Sequence, residues 1–221
     1  TLMNAFTDYI AAKQANTSPV LCMVSGKMEV PAGQHPKGVI PINGNAKLIS
    51  ANDSSGFTYR GRFDEAEQAV TVGYVASQKA HNALRWLVAN QSVSFGGRTF
   101  LCWNPQGNPI PKVTGIMGRK DGKSVSRSAT PSQYQKQLRE ALSGWKEDLR
   151  PSASVVIAAF DAATTGRLAI TYYNELLASD FLDRLHDWET SCCWENGPYG
   201  IQSPSLFQIV SWAFGTPRNG K

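Results

Sequence analysis

The chain has 221 residues, is 42% apolar and 10% aromatic, and carries a net charge of +5; this composition is typical of a folded protein with one full core or two small ones. Its longest apolar runs are far shorter than the roughly 20 residues that cross a bilayer, and it begins at Thr1 without a charged-then-apolar leader. These features exclude a disordered tail, argue against membrane insertion and secretion, and predict a cytoplasmic fragment of a longer protein.

The first part of the chain predicts short elements separated by loops rich in glycine and proline. Apolar residues near a 3.6-residue period predict a helix over Leu2–Ala15. Short strands are predicted over Val20–Val24 and Lys47–Ala51. The stretches Pro31–Asn45 and Asn52–Phe63 have no regular pattern and are predicted to be loops.

The middle of the chain contains the most regular helical pattern. Between Thr71 and Asn90, apolar residues recur at helical spacing and are expected to face the core. Val93–Trp103 then predicts a hairpin, because Gly96-Gly97 separates two strand-like runs. Residues 104–130 have no apolar period and many glycines, prolines and cations, so they are predicted to form a mobile basic loop.

The last part predicts a helix, a hairpin and two further helices. Thr130-Pro131 is an N-cap followed by proline, and an apolar stripe continues the helix to about Asp148. Strands are predicted over Ala153–Phe160 and Arg167–Tyr173, with the residues between them as the turn. The remaining helices are predicted from Asn174 or Ser179 to Glu189, with acidic residues 180, 183, 187 and 189 on a solvated face, and from Ser203 through Phe214.

These elements predict an α+β fold of short antiparallel strands and hairpins packed with about five helices. We divide the chain into three segments. Residues 1–103 form a mixed α/β portion with basic, glycine-rich loops, 104–130 the mobile loop, and 131–221 a helical and hairpin portion that packs with 1–103 as one domain.

No group of residues typical of catalysis or metal binding is found in the sequence. His35 could act as a base for Cys22 as nucleophile, but nothing supplies a third, orienting group. The cysteines include no C-x-x-C pair, so neither a zinc site nor another cofactor is expected. We therefore expect a protein that is not an enzyme. The four cysteines are Cys22, Cys102, Cys192 and Cys193.

Positive charge is concentrated in the loop-rich stretches. The net charge is +3 over residues 1–103, +4 over 104–130 and −2 over 131–221. Clustered cations attract polyanions, because each phosphate that a lysine or arginine neutralises releases a counterion and so favours binding. The alternative is a solvated basic loop without a partner. The candidate DNA-binding residues are Lys27, Lys37, Asn52, Arg60, Arg62, Arg119, Lys120 and Lys123.

Several sequence blocks occur in an order that resembles one family. Cys22-Met-Val-Ser-Gly-Lys27, His35-Pro-Lys-Gly-Val39, Ala46–Asn52 and Gly56–Gly61 resemble successive blocks of the type I-C CRISPR Cascade large subunit. Asp161–Leu176 matches that family more closely. Lys27 and Ala51 depart from its usual residues.

The resemblance implies a role in antiviral defence. A large subunit of this kind joins a crRNA-guided complex with other Cascade subunits, recognises the protospacer-adjacent motif on double-stranded target DNA and supports R-loop formation. It also recruits the helicase-nuclease that cuts. Base pairing reads the rest of the sequence, so the protein grips the backbone and a few base pairs. The alternative is a structural scaffold that contacts crRNA or neighbouring subunits without reading DNA.

Overall fold

The computed structural model describes residues 2, 5, 9–10, 12–13, 16–42, 44–50, 63, 68, 70–111, 130–164, 166–197 and 200–215. These residues form a mixture of helices and antiparallel sheets, which agrees with the predicted α+β class. The bounded helices number four in the described part of the chain, rather than about five. In the first predicted helix, Leu2–Ala15, few residues are described.

The chain forms two compact units. Unit 1 consists of Thr1–Trp86 together with Ala162–Ala169, and unit 2 consists of Leu87–Asp161 together with Ile170–Lys221. Each unit therefore contains two separate stretches of the sequence.

Unit 1 contains a small hairpin and the start of a long helix. Strands β1 (Val20–Leu21) and β2 (Met28–Glu29) pair antiparallel, so the strand predicted over Val20–Val24 is shorter than expected. Helix α1 (Tyr74–Gln91) agrees with the predicted helix. The strand predicted over Lys47–Ala51 occurs only as isolated bridges made by Lys47.

The inner face of α1 is more polar than predicted. The buried residues of the helix are Ser77, His81 and Leu84, whereas Ala80 and Ala83, predicted to face the core, are exposed. His81 Nδ1 donates to the Ser77 carbonyl at 2.6 Å, while its buried Nε2 has no hydrogen-bond partner among the described residues. The inner face of α1 is therefore partly polar.

Unit 2 is built around a four-stranded sheet, in which the strands lie in the same order as in the sequence. Its strands are β3 (Val93–Phe95), β4 (Arg98–Trp103), β5 (Ser154–Thr164) and β6 (Arg167–Leu177). The predicted β3–β4 hairpin is confirmed, because both glycines of its turn have positive φ, 55° at Gly96 and 76° at Gly97. Residues 162–164 and 167–169 of the last hairpin belong to unit 1.

The β5–β6 hairpin is longer than predicted. The turn was expected from Asp161 to Gly166, but β5 continues to Thr164. Two features stabilise the extra strand residues. Asp161 forms an ion pair with Arg98 on the neighbouring strand at 3.2 Å, and the Ala162 side chain is buried. Tertiary contacts thus override the weak strand propensity of this alanine-rich segment.

Helices α2 (Pro131–Asp148) and α3 (Ala178–Ser191) pack on each other and form the core of unit 2 with β4 and β5. Thr130 caps α2 through its hydroxyl, which accepts from the Gln133 N–H, and Pro131 is the first helical residue, as predicted. Strands β7 (Trp194–Glu195) and β8 (Ile201–Gln202) pair, and α4 (Leu206–Phe214) follows.

Two predictions concern polar segments of unit 2, and the second of them requires correction. At the start of the loop predicted to be mobile over residues 104–130, the Asn104 amide donates to the Ser154 carbonyl at 2.8 Å and Ile110 is buried, whereas residues 105–109 are exposed; the mobility of the loop stays a prediction. Residues 112–129 lie outside the described residues. Glu189, predicted on a solvated face, is 3% exposed and accepts a hydrogen bond from Tyr134 at 2.6 Å. Burial, and then Glu189, raise the pKa of Tyr134 above its ordinary range.

Candidate nucleic-acid interface

Unit 1 has a net positive charge, because its sequence contains nine lysines and arginines and six acidic residues. Seven of the nine cations are among its described residues. Lys47 is half-buried and the other six cations are exposed. A net positive charge with exposed cations favours contact with polyanions. The seven cations are Lys13, Lys27, Lys37, Lys47, Lys79, Arg85 and Arg167.

One stripe of α1 holds the loop that carries Lys37. Ser77, His81 and Arg85 are spaced four residues apart, so they lie on one side of the helix. Nδ1 of His35 lies 2.9 Å from the Ser77 hydroxyl, and the His35 ring stacks on His81 at a centroid distance of 6.0 Å. Arg85 donates to the Lys37 carbonyl at 3.1 Å. The loop is therefore fixed on the helix at two places, through the His35 side chain and through the Lys37 carbonyl.

Backbone bridges place three cations side by side. Lys47 bridges Lys37 on one side and Arg167 on the other. The second bridge is closed by two hydrogen bonds, from Lys47 N–H to the Gly166 carbonyl at 3.1 Å and from Leu168 N–H to the Lys47 carbonyl at 2.9 Å. Paired residues in neighbouring strands present their side chains on the same face. We call Lys37, Lys47 and Arg167 the basic row.

A glycine closes the loop beside the basic row. Gly38 has a φ of 61°, and its N–H donates to the Ala46 carbonyl at 3.2 Å. A Cβ at Gly38 would lie 2.8 Å from the carbonyl oxygen of Gly44. A side chain at this position would thus be strained by both the backbone conformation and the contact, and the Lys37–Lys47 bridge depends on the glycine.

His35 links the stability of this loop to pH. Burial, His81 and then Lys47 lower the pKa of His35 below its ordinary value of 6.5. The unfolded chain therefore binds the proton more readily than the folded one, so the stability associated with neutral His35 is complete above pH 6.5 and is lost as the pH falls through the folded pKa.

We expect the melting temperature to fall between about pH 7.5 and about pH 5.5, and to fall less in His35→Gln, which does not titrate. Thermal unfolding monitored by circular dichroism at several pH values measures both slopes. Identical slopes for the two proteins would contradict the assignment to His35.

The Cys22 thiol has other partners than His35. Its sulfur accepts from the Gly73 N–H at 3.1 Å, while His35 contacts Ser77 and His81. Hydrogen bonds from the Ser25 side chain and the Gly73 N–H lower the pKa of Cys22 to about 7. The suggested nucleophile and base are thus not paired in the described structure. Within the ranges described, no three His, Cys, Asp or Glu side chains converge in a way that could hold a metal ion.

The structure brings together only part of the predicted DNA-binding set. Lys37 lies in the basic row, while Lys27 lies at the turn between β1 and β2. Arg85 and Arg167 were not predicted, although the spacing of Ser77, His81 and Arg85 is a signal that a polar partner packs on α1. Six predicted residues lie outside the described residues and keep the status of predictions: Asn52, Arg60, Arg62, Arg119, Lys120 and Lys123.

A comparison with protein families gives a match over nearly the whole chain. The matching family model is described as CRISPR-associated protein (Cas_Csd1), and it covers residues 1–220. No match to a curated protein was found. None of the helices in the described part of the chain is long and apolar enough to cross a membrane.

Proposed function

The chain belongs to the Cas_Csd1 family of CRISPR-associated proteins, and we propose that it is a non-catalytic part of the large subunit of a type I-C Cascade. In this proposal, unit 1 binds double-stranded target DNA at the protospacer-adjacent motif. The chain thereby supports R-loop formation on the crRNA and recruitment of the helicase-nuclease by the complex.

The basic row is the observation that carries the proposal. Like charges directly opposite each other in neighbouring strands destabilise a sheet, yet Lys37, Lys47 and Arg167 are bridged in succession. A phosphate bound among them removes this repulsion and forms charge-assisted hydrogen bonds. Because neighbouring strands are separated by about 5 Å, three bridged residues form a row long enough to follow a nucleic-acid backbone.

Anchoring of the row supports binding to a structured duplex. Two contacts hold the Lys37 loop on α1: His35 of the loop contacts the helix, and Arg85 of the helix donates to the loop. Backbone hydrogen bonds to the start of β6 hold Lys47. A preorganised row loses less conformational freedom on binding than lysines on an unanchored loop. Phosphate contacts of this kind fix the position and register of the DNA without reading its sequence. In this proposal, side-chain amides such as that of the predicted Asn52 read the bases of the motif.

The proposal predicts a specific salt dependence. Lys37→Ala is expected to weaken binding of this chain to short duplexes with or without the candidate motif, and to reduce the slope of log affinity against log salt by about 1. Lys136→Ala is the matched control, since Lys136 is an exposed lysine in unit 2, and it should leave both quantities unchanged. Fluorescence anisotropy at several salt concentrations measures them.

Three results would oppose the proposal. Equal effects of Lys37→Ala and Lys136→Ala would show that the basic row is not the binding surface. Tighter binding of single-stranded crRNA than of duplex would favour a scaffold that contacts crRNA. Cleavage of the duplex by the purified chain with divalent metal, lost on changing one carboxylate, would end the non-catalytic assignment.

A further inference from the structure

The C-terminal elements of unit 2 form an apolar cleft that lies outside the proposed DNA-binding unit. The cleft has a volume of about 620 Å³ and is lined by the end of α3, by β7 and by α4. Three tryptophans dominate the lining, Trp188, Trp194 and Trp212. The rings of Trp194 and Trp212 pack at a centroid distance of 4.8 Å and an interplanar angle of 50°.

The aromatic side chains beside this cleft are unusually exposed. Trp212 is 57% exposed, and Phe214, at the end of the same helix, is 85% exposed. A large contiguous patch of exposed apolar side chains usually marks an interaction site, whereas isolated exposed apolar residues do not. Tryptophan is also the residue most enriched among those that dominate binding energy in protein interfaces. The cleft therefore has the composition of a protein-binding site.

The charges around the cleft restrict what can bind there. From Leu185 to Gly215, the described residues include three acidic side chains and no lysine or arginine. Two of the three, Asp187 and Glu195, are exposed and are sequence neighbours of the lining residues Trp188 and Trp194. Carboxylates repel phosphates and attract cations. This surface is thus opposite in sign to the basic row and unsuited to nucleic acid.

We propose that the cleft binds a segment of a partner protein in which bulky apolar side chains alternate with lysines or arginines, as on an amphipathic basic helix. The apolar side chains enter the cleft between Trp194, Trp212 and Ile209, and the flanking cations face Asp187 and Glu195. Helix-in-groove recognition of this type uses apolar anchors for affinity and rim charges for orientation. The site is independent of DNA binding by unit 1.

The four cysteines provide a direct readout of occupancy. Cys192 and Cys193 line the cleft and are half-buried, whereas Cys22 and Cys102 are fully buried. A maleimide reagent applied to the full 221-residue chain should therefore modify the cleft thiols first, and mass spectrometry locates the label. The probe is a synthetic helical peptide with leucines on one face and lysines on the other.

The basic peptide is expected to slow labelling of Cys192 and Cys193. Two matched peptides, one with glutamate in place of lysine and one with alanine in place of leucine, should leave the labelling rate unchanged. Trp212→Ala is expected to weaken peptide binding about 10-fold or more, while Tyr173→Ala, which removes an exposed aromatic side chain of β6 outside the lining, serves as the matched control. The double variant Asp187→Asn and Glu195→Gln changes only exposed side chains, so it tests the acidic rim even if Trp212→Ala fails to fold. It should weaken peptide binding and make that binding less dependent on salt.

Several outcomes would overturn the proposal. One is unchanged labelling with saturating basic peptide. Another is equal protection by the acidic peptide, which would remove the role of the rim. Protection by duplex DNA in place of the peptide would assign the cleft to nucleic acid. Binding that the rim variant leaves unaffected would likewise refute recognition of a cationic segment.

Discussion

Leu138→Ala is expected to lower the free energy of unfolding by about 2–5 kcal/mol, the range found for leucine truncation in well-packed cores. Leu138 is 0% exposed and lies in the core cluster that joins α2 to α3 and to the central strands. Truncation loses the transfer free energy of the removed methyl groups and leaves a cavity that the rigid neighbours fill only in part. Urea unfolding followed by circular dichroism measures the change.

Arg139→Ala supplies the control for this experiment. Arg139 is the next residue of α2 and is exposed, and alanine and arginine have similar helix propensities. Its replacement should change the free energy of unfolding by about 0.5 kcal/mol or less. Equal destabilisation by the two substitutions would mean that Leu138 does not lie in the core described above.

Gly73→Ala is expected to destabilise unit 1 by about 1–3 kcal/mol through overpacking. A Cβ at Gly73 would lie 2.0 Å from Oε2 of Glu29 and 2.8 Å from the Cβ of Glu29. The carboxylate can rotate away, but the Glu29 Cβ is fixed to β2. Either β2 or the start of α1 must therefore move, and Ser77, which contacts His35, lies one turn further along α1.

The same substitution is expected to weaken duplex binding, because displacement of Ser77 loosens the loop that carries Lys37. Gly33→Ala is the matched control, since a Cβ at Gly33 meets no atom within 4 Å and the residue has no positive φ. Thermal unfolding and duplex anisotropy on both variants separate the two effects. Normal stability and normal affinity for Gly73→Ala would contradict the close approach of β2 to α1.

Local patterns predicted the elements whose contacts are local. Thr130-Pro131 and the apolar stripe after it indicated α2 because capping and helical periodicity act over one or a few turns. The β3–β4 turn followed from Gly96-Gly97 for the same reason, since positive φ is a property of those residues themselves. The end of β5 was misplaced because pairing of Asp161 with Arg98, a residue distant in sequence, is not visible in local propensity.

The candidate site was only partly predictable because it is assembled from distant segments. Lys37 could be selected from charge and loop placement alone. Its neighbour Arg167 could not, because the bridge through Lys47 joins residues more than a hundred positions apart. His81 resembled an ordinary helix residue until its contact with His35 placed it under a loop. Charge identifies candidates, but strand pairing decides which of them share a face.

The discontinuous composition of unit 1 has a consequence for how the chain is made. Ala162–Ala169 belong to this unit although all of Leu87–Asp161 precede them in synthesis. A nascent chain that has emerged only to Trp86 lacks the partner of Lys47 at the start of β6. The earlier segment of unit 1 can therefore complete its contacts only after the β5–β6 hairpin has been synthesised.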